Sequence, residues 1–405
     1  MLVADPLLPA APYLTGVHAS DVVAPAVEAG GGVLESIEPR QVLYRPSREL
    51  VVSYAAVVSW QSGPSVRETL LAATTPTGEP PGTMPIEADG LRVGVWRYPF
   101  DPYLPGLVDA VTHGPASEVL GVSVSDLILT VRSFRPCRRA VVHAVWPGGE
   151  AYIKVLPPAE VQRLVDAHAA LLASGLPVPE ILDTDEHRGV VVMRALTGTS
   201  LRNRLLEGRG AVPGGQAIFD LVQQFASISQ DGAWVAGGEH VSLLKAAPRH
   251  AAMLTSVLPR VGGRLDTLLA MFDQPGTDTE ARIIHGDLHD GQLQVDDSGE
   301  IVGVLDIDRV GVGEPLDDLA RFLGHVIALG ELTPDARVHV EPFAAQLRRA
   351  LDGILDRREL DRRVAAALIG LATGPFRSQM PSWRERVSDV LNLAERFGLD
   401  ENTLR

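Results

Sequence analysis

The chain changes rhythm near residue 197. Before that point short β-branched runs are broken by proline and glycine, as in LVVSYAAVVSW (50–60) and LRVGVWRY (91–98). Runs of this kind bounded by turn residues predict strands. Beyond it, apolar residues recur at three- and four-residue spacing, as in VPGGQAIFDLVQQFASI and VEPFAAQLRRALDGIL, which is the period of a helix with one buried face. One interruption breaks this second half: between Ile283 and Asp308 the stretches IIHGD, QLQVDD and IVGVLDID predict short strands inside helical surroundings.

The strand-rich half also repeats itself weakly. YRPSRELVV (44–52) and FRPCRRAVV (134–142) share Arg, Pro, Arg, Val and Val at an offset of 90 residues, each led by an aromatic, so two similar hairpins are expected. Duplication and shared proline-turn chemistry both explain them. Between them, EPPGTMPIEADG (79–90) reads as a flexible connector. VWRYPFDPYLPGL (95–107) reads either as a second connector or, with its aromatics beside Arg97 and Asp101, as an ordered lid or a lining of the substrate pocket.

Composition narrows the function. The 405 residues are 45% hydrophobic and 21% charged, an ordinary globular mixture with length for two or three domains. A formal net charge of −15 argues against nucleic-acid binding, which relies on Lys and Arg, and suits a neutral or cationic small partner better. Cys137, the one cysteine, excludes an internal disulfide, a thiolate zinc site and an iron–sulfur cluster. No signal-peptide pattern opens the chain, and no run of eighteen apolar residues is free of charge or proline. A soluble cytoplasmic protein without membrane partners is expected.

The stretch IIHGDLHDGQLQV (283–295) sets His285 and His289 four residues apart. A zinc protease of the H-E-x-x-H type needs a glutamate after the first histidine, where this chain has Gly286. Glycine also disfavours the helix such a pair requires. A phosphotransferase loop fits better: kinases place an aspartate to orient the attacking hydroxyl and an amide five residues later to hold magnesium. Asp287 and Gln292 keep that spacing, and Asp306 follows one hairpin later as a second metal ligand. Lys154, in the strand EAYIKVL, is the candidate to neutralise nucleotide phosphates.

These motifs, in this order, resemble the aminoglycoside phosphotransferase and choline kinase superfamily, small-molecule kinases with a protein-kinase-like fold. The resemblance spans roughly residues 130–330 on H285-G286-D287 with the amide at 292, LDIDRVGVGEPLDDLARFLGH (305–325), GLPVPEIL (175–182) and VVVMRALTGTSL (190–201). It implies an α+β bilobal fold with a β-rich N-terminal cap at 1–125, a nucleotide-binding lobe at 126–196 and a mostly helical lobe at 197–405. It implies ATP and Mg2+ as cofactors, Asp287 as the catalytic aspartate, Gln292 and Asp306 as metal ligands, and the backbone near Arg194 and Leu196 against adenine. Asp318 would fix the loop. Glu160, at the first turn of the helix after Lys154, is the acid favoured to pair with that lysine, and helix-dipole complementation explains it equally. His289 and Asp308 are candidates near substrate or metal. RPCRR (135–139) takes the place of the phosphate-covering glycine loop, with Arg135, Arg138 or Arg139 as donors. The glutamine at 292 resembles the maltokinase and glucosamine kinase branch and tilts the expected acceptor toward a sugar or amino sugar. A drug-modifying aminoglycoside or macrolide phosphotransferase and a catalytically silent binding module remain alternatives.

Overall fold

The computed structural model describes residues 5–61, 63–88, 90–235, 240–272 and 280–398. Its strand-rich half is one design built twice. The first unit runs α1 (Ala11–Leu14), α2 (Ala19–Ala29), then β1 (Gly32–Arg45), β2 (Glu49–Trp60), β3 (Val66–Thr74), β4 (Met84–Ala88) and β5 (Leu91–Arg97), in an antiparallel sheet of order β1-β2-β3-β5-β4. The second runs α3 (Leu107–Ala110), α4 (His113–Leu120), β6 (Ile128–Arg135), β7 (Arg139–Trp146) and β8 (Gly149–Val155). Helix α5 (Val161–Ala173) then precedes β9 (Ile181–Asp185) and β10 (Val190–Arg194), and the sheet order β6-β7-β8-β10-β9 is the same. Only α5 is added.

The two R-P-x-R hairpins match in detail. Ser47 and Cys137 both take left-handed backbone, φ 58° and 59°, and each amide is held by an aspartate. Ser47 N donates to Asp5 Oδ2 at 2.7 Å, and Cys137 N to Asp101 Oδ2 at 2.8 Å. The other oxygen of each accepts from the residue two ahead, Leu7 N at 3.1 Å and Tyr103 N at 3.0 Å. The aspartates open DPLLP and DPYLP, so the repeat extends beyond the hairpins that first display it. Asp101 is buried: the segment 95–107 is a tether that braces the second hairpin.

Strand alternation then decides what each sheet faces. In the second unit Val142, Ala144, Ile153, Val155 and Val192 pack against α3 and α4. Lys154, between Ile153 and Val155, therefore points to the opposite face, toward the helical lobe. Val51, Leu71, Ala73 and Trp96 of the first sheet cover Phe134 and Cys137 at the tip of the second, joining the units. Helix α5 buries Val161, Leu164, Ala167, His168 and Leu171, while Leu172 is exposed. The inward stripe follows the i, i+3, i+4 progression from Leu164 through Ala167 and His168 to Leu171.

The helical lobe comprises β11 (Thr199–Ser200), α6 (Leu201–Glu207), α7 (Gly215–Ala226), α8 (Leu243–Val257) and α9 (Gly262–Ala270). Four short strands follow: β12 (Arg282–Ile284), β13 (Leu293–Val295), β14 (Ile301–Val304) and β15 (Gly311–Gly313). Then come α10 (Pro315–Leu332), α11 (Arg337–Leu351), α12 (Arg357–Leu371), α13 (Gly374–Arg377) and α14 (Trp383–Gly398). The short strands pair as β11-β13-β14 and β12-β15. Buried charges pin α10 and α12: Arg363 reaches Asp317 at 2.6 Å, Glu314 at 2.6 Å and Glu359 at 2.8 Å. Among the described residues no helix is long and apolar enough to cross a membrane.

Two outcomes test this architecture. Asp101→Ala strands two amides and should cost about 1–3 kcal/mol in urea unfolding; an unchanged midpoint would refute the bracing role. His168 is buried, with Nδ1 2.8 Å from Pro179 O, and burial first, then Lys154, lowers its pKa to about 4. Its folded pKa lies below the unfolded one, so the stability it contributes is full above pH 6.5 and lost as pH falls toward 4, by about 3 kcal/mol in all. The slope of stability against pH in that window should be shallower in His168→Gln.

Candidate active site

The β12–β13 connection presents the candidate loop. Ile283 and Ile284 are buried in β12, after which the chain turns through Gly286 at φ 76°. A Cβ there would run into the Arg309 carbonyl and the His240 ring, so glycine is required. Asp318, fully inside at the first turns of α10, accepts from His285 N at 2.6 Å and Gly286 N at 3.0 Å. Burial raises its pKa, against the pull of His285, Arg321 and the two amides. The His285 ring donates from Nε2 to Leu305 O at 2.9 Å, and its Nδ1 accepts from Asp287 N at 3.3 Å. That pair of bonds fixes the tautomer and clips the loop to the segment carrying Asp306.

Asp287 projects from this turn. Burial works to raise its pKa, but Arg321 and Arg309, then His289 and His325, pull it down to about 2. It is an anion at any physiological pH. Two residues on, His289 stacks on His325 of α10 with ring centroids 4.5 Å apart, and its Nδ1 accepts from Gly291 N at 3.0 Å. Asp290 is fully buried and takes Arg202 of α6 at 2.6 and 3.2 Å. His289, Asp290 and His325 lie close enough to suggest a metal cluster, but the Asp290 oxygens are committed to Arg202 and Nδ1 of His289 to Gly291. The group is the loop's foundation.

Across from the loop, Asp306 takes left-handed backbone at φ 57°, and it gathers charge from the β-rich lobe. Arg139 forks onto it at 2.6 and 2.5 Å and also reaches Asp308 at 2.5 Å. Lys154 lies 3.3 Å from Asp306 Oδ1 and closer still to Asp308. Burial opposes the charge on Asp306, but Lys154 and Arg139 hold its pKa well below the usual carboxylate range. For Arg139 burial is likewise outweighed, by Asp306 and Asp308, so its guanidinium is held charged. Gln292 completes the group, its amide nitrogen 3.2 Å from Asp306 Oδ2 and 3.1 Å from His289 Nε2.

Asp287, Gln292, Asp306, Asp308, His289 and Lys154 thus meet in one cleft. The other candidates lie apart from it. Glu160 is exposed at the N-cap of α5 and does not pair with Lys154, whose partners are Asp306 and Asp308. A residue three positions along α5, Arg163, reaches the cleft instead, donating to Asp308 O at 2.6 Å. Arg194 is exposed and pairs with Glu180 at 2.8 Å; Leu196 lies against Gly303. Sequence reasoning missed His325 and the Arg202–Asp290 pair. The first carries a signal, since Asp318, Arg321 and His325 recur at i, i+3 and i+7 on one helical face. The second carries none, its partners being 88 residues apart.

This arrangement, a strand lysine above a loop aspartate, an amide and a second aspartate, is that of a kinase-like phosphotransferase. The model of the phosphotransferase enzyme family APH matches residues 138–369, and the chain belongs to that family. Among curated proteins none matches. Among solved structures, a thermostable mutant of aminoglycoside phosphotransferase APH(4)-Ia superposes with a TM-score of 0.53 at 13% identity, over 71% of this chain and 98% of that one. An ethanolamine kinase from Plasmodium vivax gives 0.44 at 11%, over 68% and 84%. Macrolide 2'-phosphotransferase MphH from Brachybacterium faecium gives 0.40 at 17%, over 67% and 92%. The first supports the fold.

Asp318→Asn removes one of the two acceptors beneath the loop and should cost about 1–3 kcal/mol. A denaturation midpoint equal to wild type would show that the loop does not depend on this carboxylate.

Proposed function

We propose that this phosphotransferase moves the γ-phosphoryl group of ATP to a hydroxyl of a small, sugar-like acceptor. The observation that carries the reading is the meeting of Lys154, Asp306, Gln292 and Asp287 in one cleft. Asp287 aims the hydroxyl. The bond from the γ-phosphorus to the ADP oxygen breaks, a bond to the acceptor oxygen forms, and the hydroxyl proton passes to Asp287 and on to solvent. With a pKa near 2, Asp287 is a weak base, and orientation is its main contribution. That suits the loose transition state of phosphoryl transfer, in which the proton leaves late. Lys154 and Arg139 neutralise phosphate charge, and Arg163 braces the loop that carries Asp308.

Mg2+ suits a carboxylate and an amide, but the Asp306 oxygens are held here by Arg139, Lys154 and Gln292, and an ion would bind as those cations shift onto phosphate. Asp306 offers carboxylate oxygens, and a half-turn of the Gln292 amide would set its oxygen beside them, facing a protonated His289 Nε2 that needs an acceptor. The ion would neutralise and orient the β- and γ-phosphates. Glutamine rather than asparagine at 292 supports a sugar or amino-sugar acceptor. The backbone near Arg194 and Leu196 follows the second sheet into the helical lobe, as an adenine-binding hinge would.

Asp287→Asn should lower turnover by at least a thousandfold while Mg-ATP still raises the thermal midpoint. Undiminished ADP release by the variant would sink the assignment. Lys154→Ala should raise the KM for ATP, and a wild-type protein that Mg-ATP fails to stabilise would favour a silent binding module.

A further inference from the structure

The proposed chemistry uses the cations on Asp306 and leaves a second set unexplained. Asp318, Arg321 and His325 share one face of α10. Asp318 holds the amides of His285 and Gly286, and His325 stacks on His289. Arg321, between them, therefore lies opposite Asp287. Its Nε is buried and has no hydrogen-bond partner. Arg309 lies across the turn, its carbonyl against Gly286, and its charge also acts on Asp287.

Further arginines converge from other elements. His250 of α8 lies against Gly370 of α12, and its buried Nδ1 is also without a partner. Arg249, Arg321, Arg377 and Arg309 all act on that ring, which burial and this surrounding charge keep neutral. Arg377 ends α13, which packs on β1, and Arg135 and Arg45 end β6 and β1 at the two R-P-x-R hairpins. Arg135, Arg45 and Asp287 all lie near enough to act on the exposed Arg377. Glu49 pairs with Arg45 at 3.1 Å and with Arg138 at 2.6 Å. Among the described residues Arg135, Arg249, Arg309, Arg321 and Arg377 have no carboxylate within ion-pair distance. Arg135, Arg249, Arg309 and Arg377 are exposed, so their guanidinium groups are hydrated and open to an anionic ligand.

We propose that these arginines form an anion subsite for the acceptor: the hydroxyl presented to Asp287 belongs to a small molecule that also carries a phosphate or a carboxylate. The proposal rests on the phosphotransferase reading above and narrows its substrate. Guanidinium groups grip such anions through paired, charge-assisted bonds. A polycationic aminoglycoside would meet repulsion here, whatever the net charge of −15 suggests for the whole surface. Both hairpins contribute, so the first β unit helps to form the acceptor pocket.

The test offers the full-length enzyme hexoses, amino sugars and aminoglycosides beside hexose monophosphates and hexuronic acids, with ADP release as readout. Acidic acceptors should exceed their neutral parents at least tenfold in kcat/KM, and the advantage should fall with ionic strength. The phosphate and carboxylate arms identify which anion is meant. Arg377→Gln should raise the acceptor KM tenfold or more while the KM for ATP moves less than twofold, and Arg377→Lys should recover part of the loss. If no acceptor turns over, thermal midpoints decide. Stabilisation by the acidic compounds that Arg321→Gln abolishes supports the subsite, and identical responses of both proteins overturn it. Neutral or cationic acceptors used equally well, with Arg377→Gln silent, overturn the subsite and leave the phosphotransferase reading standing. No stabilisation by Mg-ATP, or ADP release indifferent to Asp287→Asn, removes both.

Discussion

The two lobes meet at a quartet of charges, one buried and three half-buried. Arg139 and Lys154 come from the β-rich side, Asp306 and Asp308 from the helical side, and Lys154 retains only 4% of its side-chain exposure. Taking such groups from water costs several kcal/mol per ion, so each is tolerable only because the others are present. The quartet therefore constrains everything around it: sheet register must aim Lys154 inward, the left-handed turn at Asp306 must aim its carboxylate outward, and α5 must leave room for Arg163. The same cations that balance the aspartates are those a nucleotide's phosphates would draw on in the proposed chemistry.

The repeated β unit shows how little of a fold is chemistry. In β7–β8 pairing Val141 faces Lys154, while in β2–β3 pairing the corresponding Val51 faces Ala73. Likewise Arg139 opposes Arg135 where Glu49 opposes Arg45. The first unit thus has the sheet order, the tethering aspartate and the hairpin of the second, without its lysine or its forked arginine. It supplies Glu49 to the junction instead, pairing with arginines from both hairpins. One copy carries the lysine and forked arginine of the candidate site, and the other packs against it.

Charge in this protein is organised locally. The acidic surplus of the whole chain predicts attraction for cations, yet the charges that act most strongly on Asp287 are the guanidinium groups of Arg321 and Arg309. Coulomb interactions weaken with distance and are screened over about 10 Å at ordinary ionic strength. A bound molecule feels the side chains that line its site far more than the sum over the surface.

The sequence by itself determined the periodicities of the two halves, the hairpin repeat and the loop that bears Asp287, because these are written in contiguous residues. Spacing also brought Gln292 and Asp306 into consideration, since one short hairpin joins them. It did not determine the partner of Lys154, where Glu160 on α5 was the local choice and Asp306 and Asp308, more than 150 residues away, are the actual neighbours. Nor did it show the DPxLP tether, the stacked His289 and His325, or the gathering of arginines around Asp287. Helical and strand patterns depend on near neighbours and can be read along the chain. The company each charge keeps depends on how sheets and helices pack, and tertiary structure alone decides that.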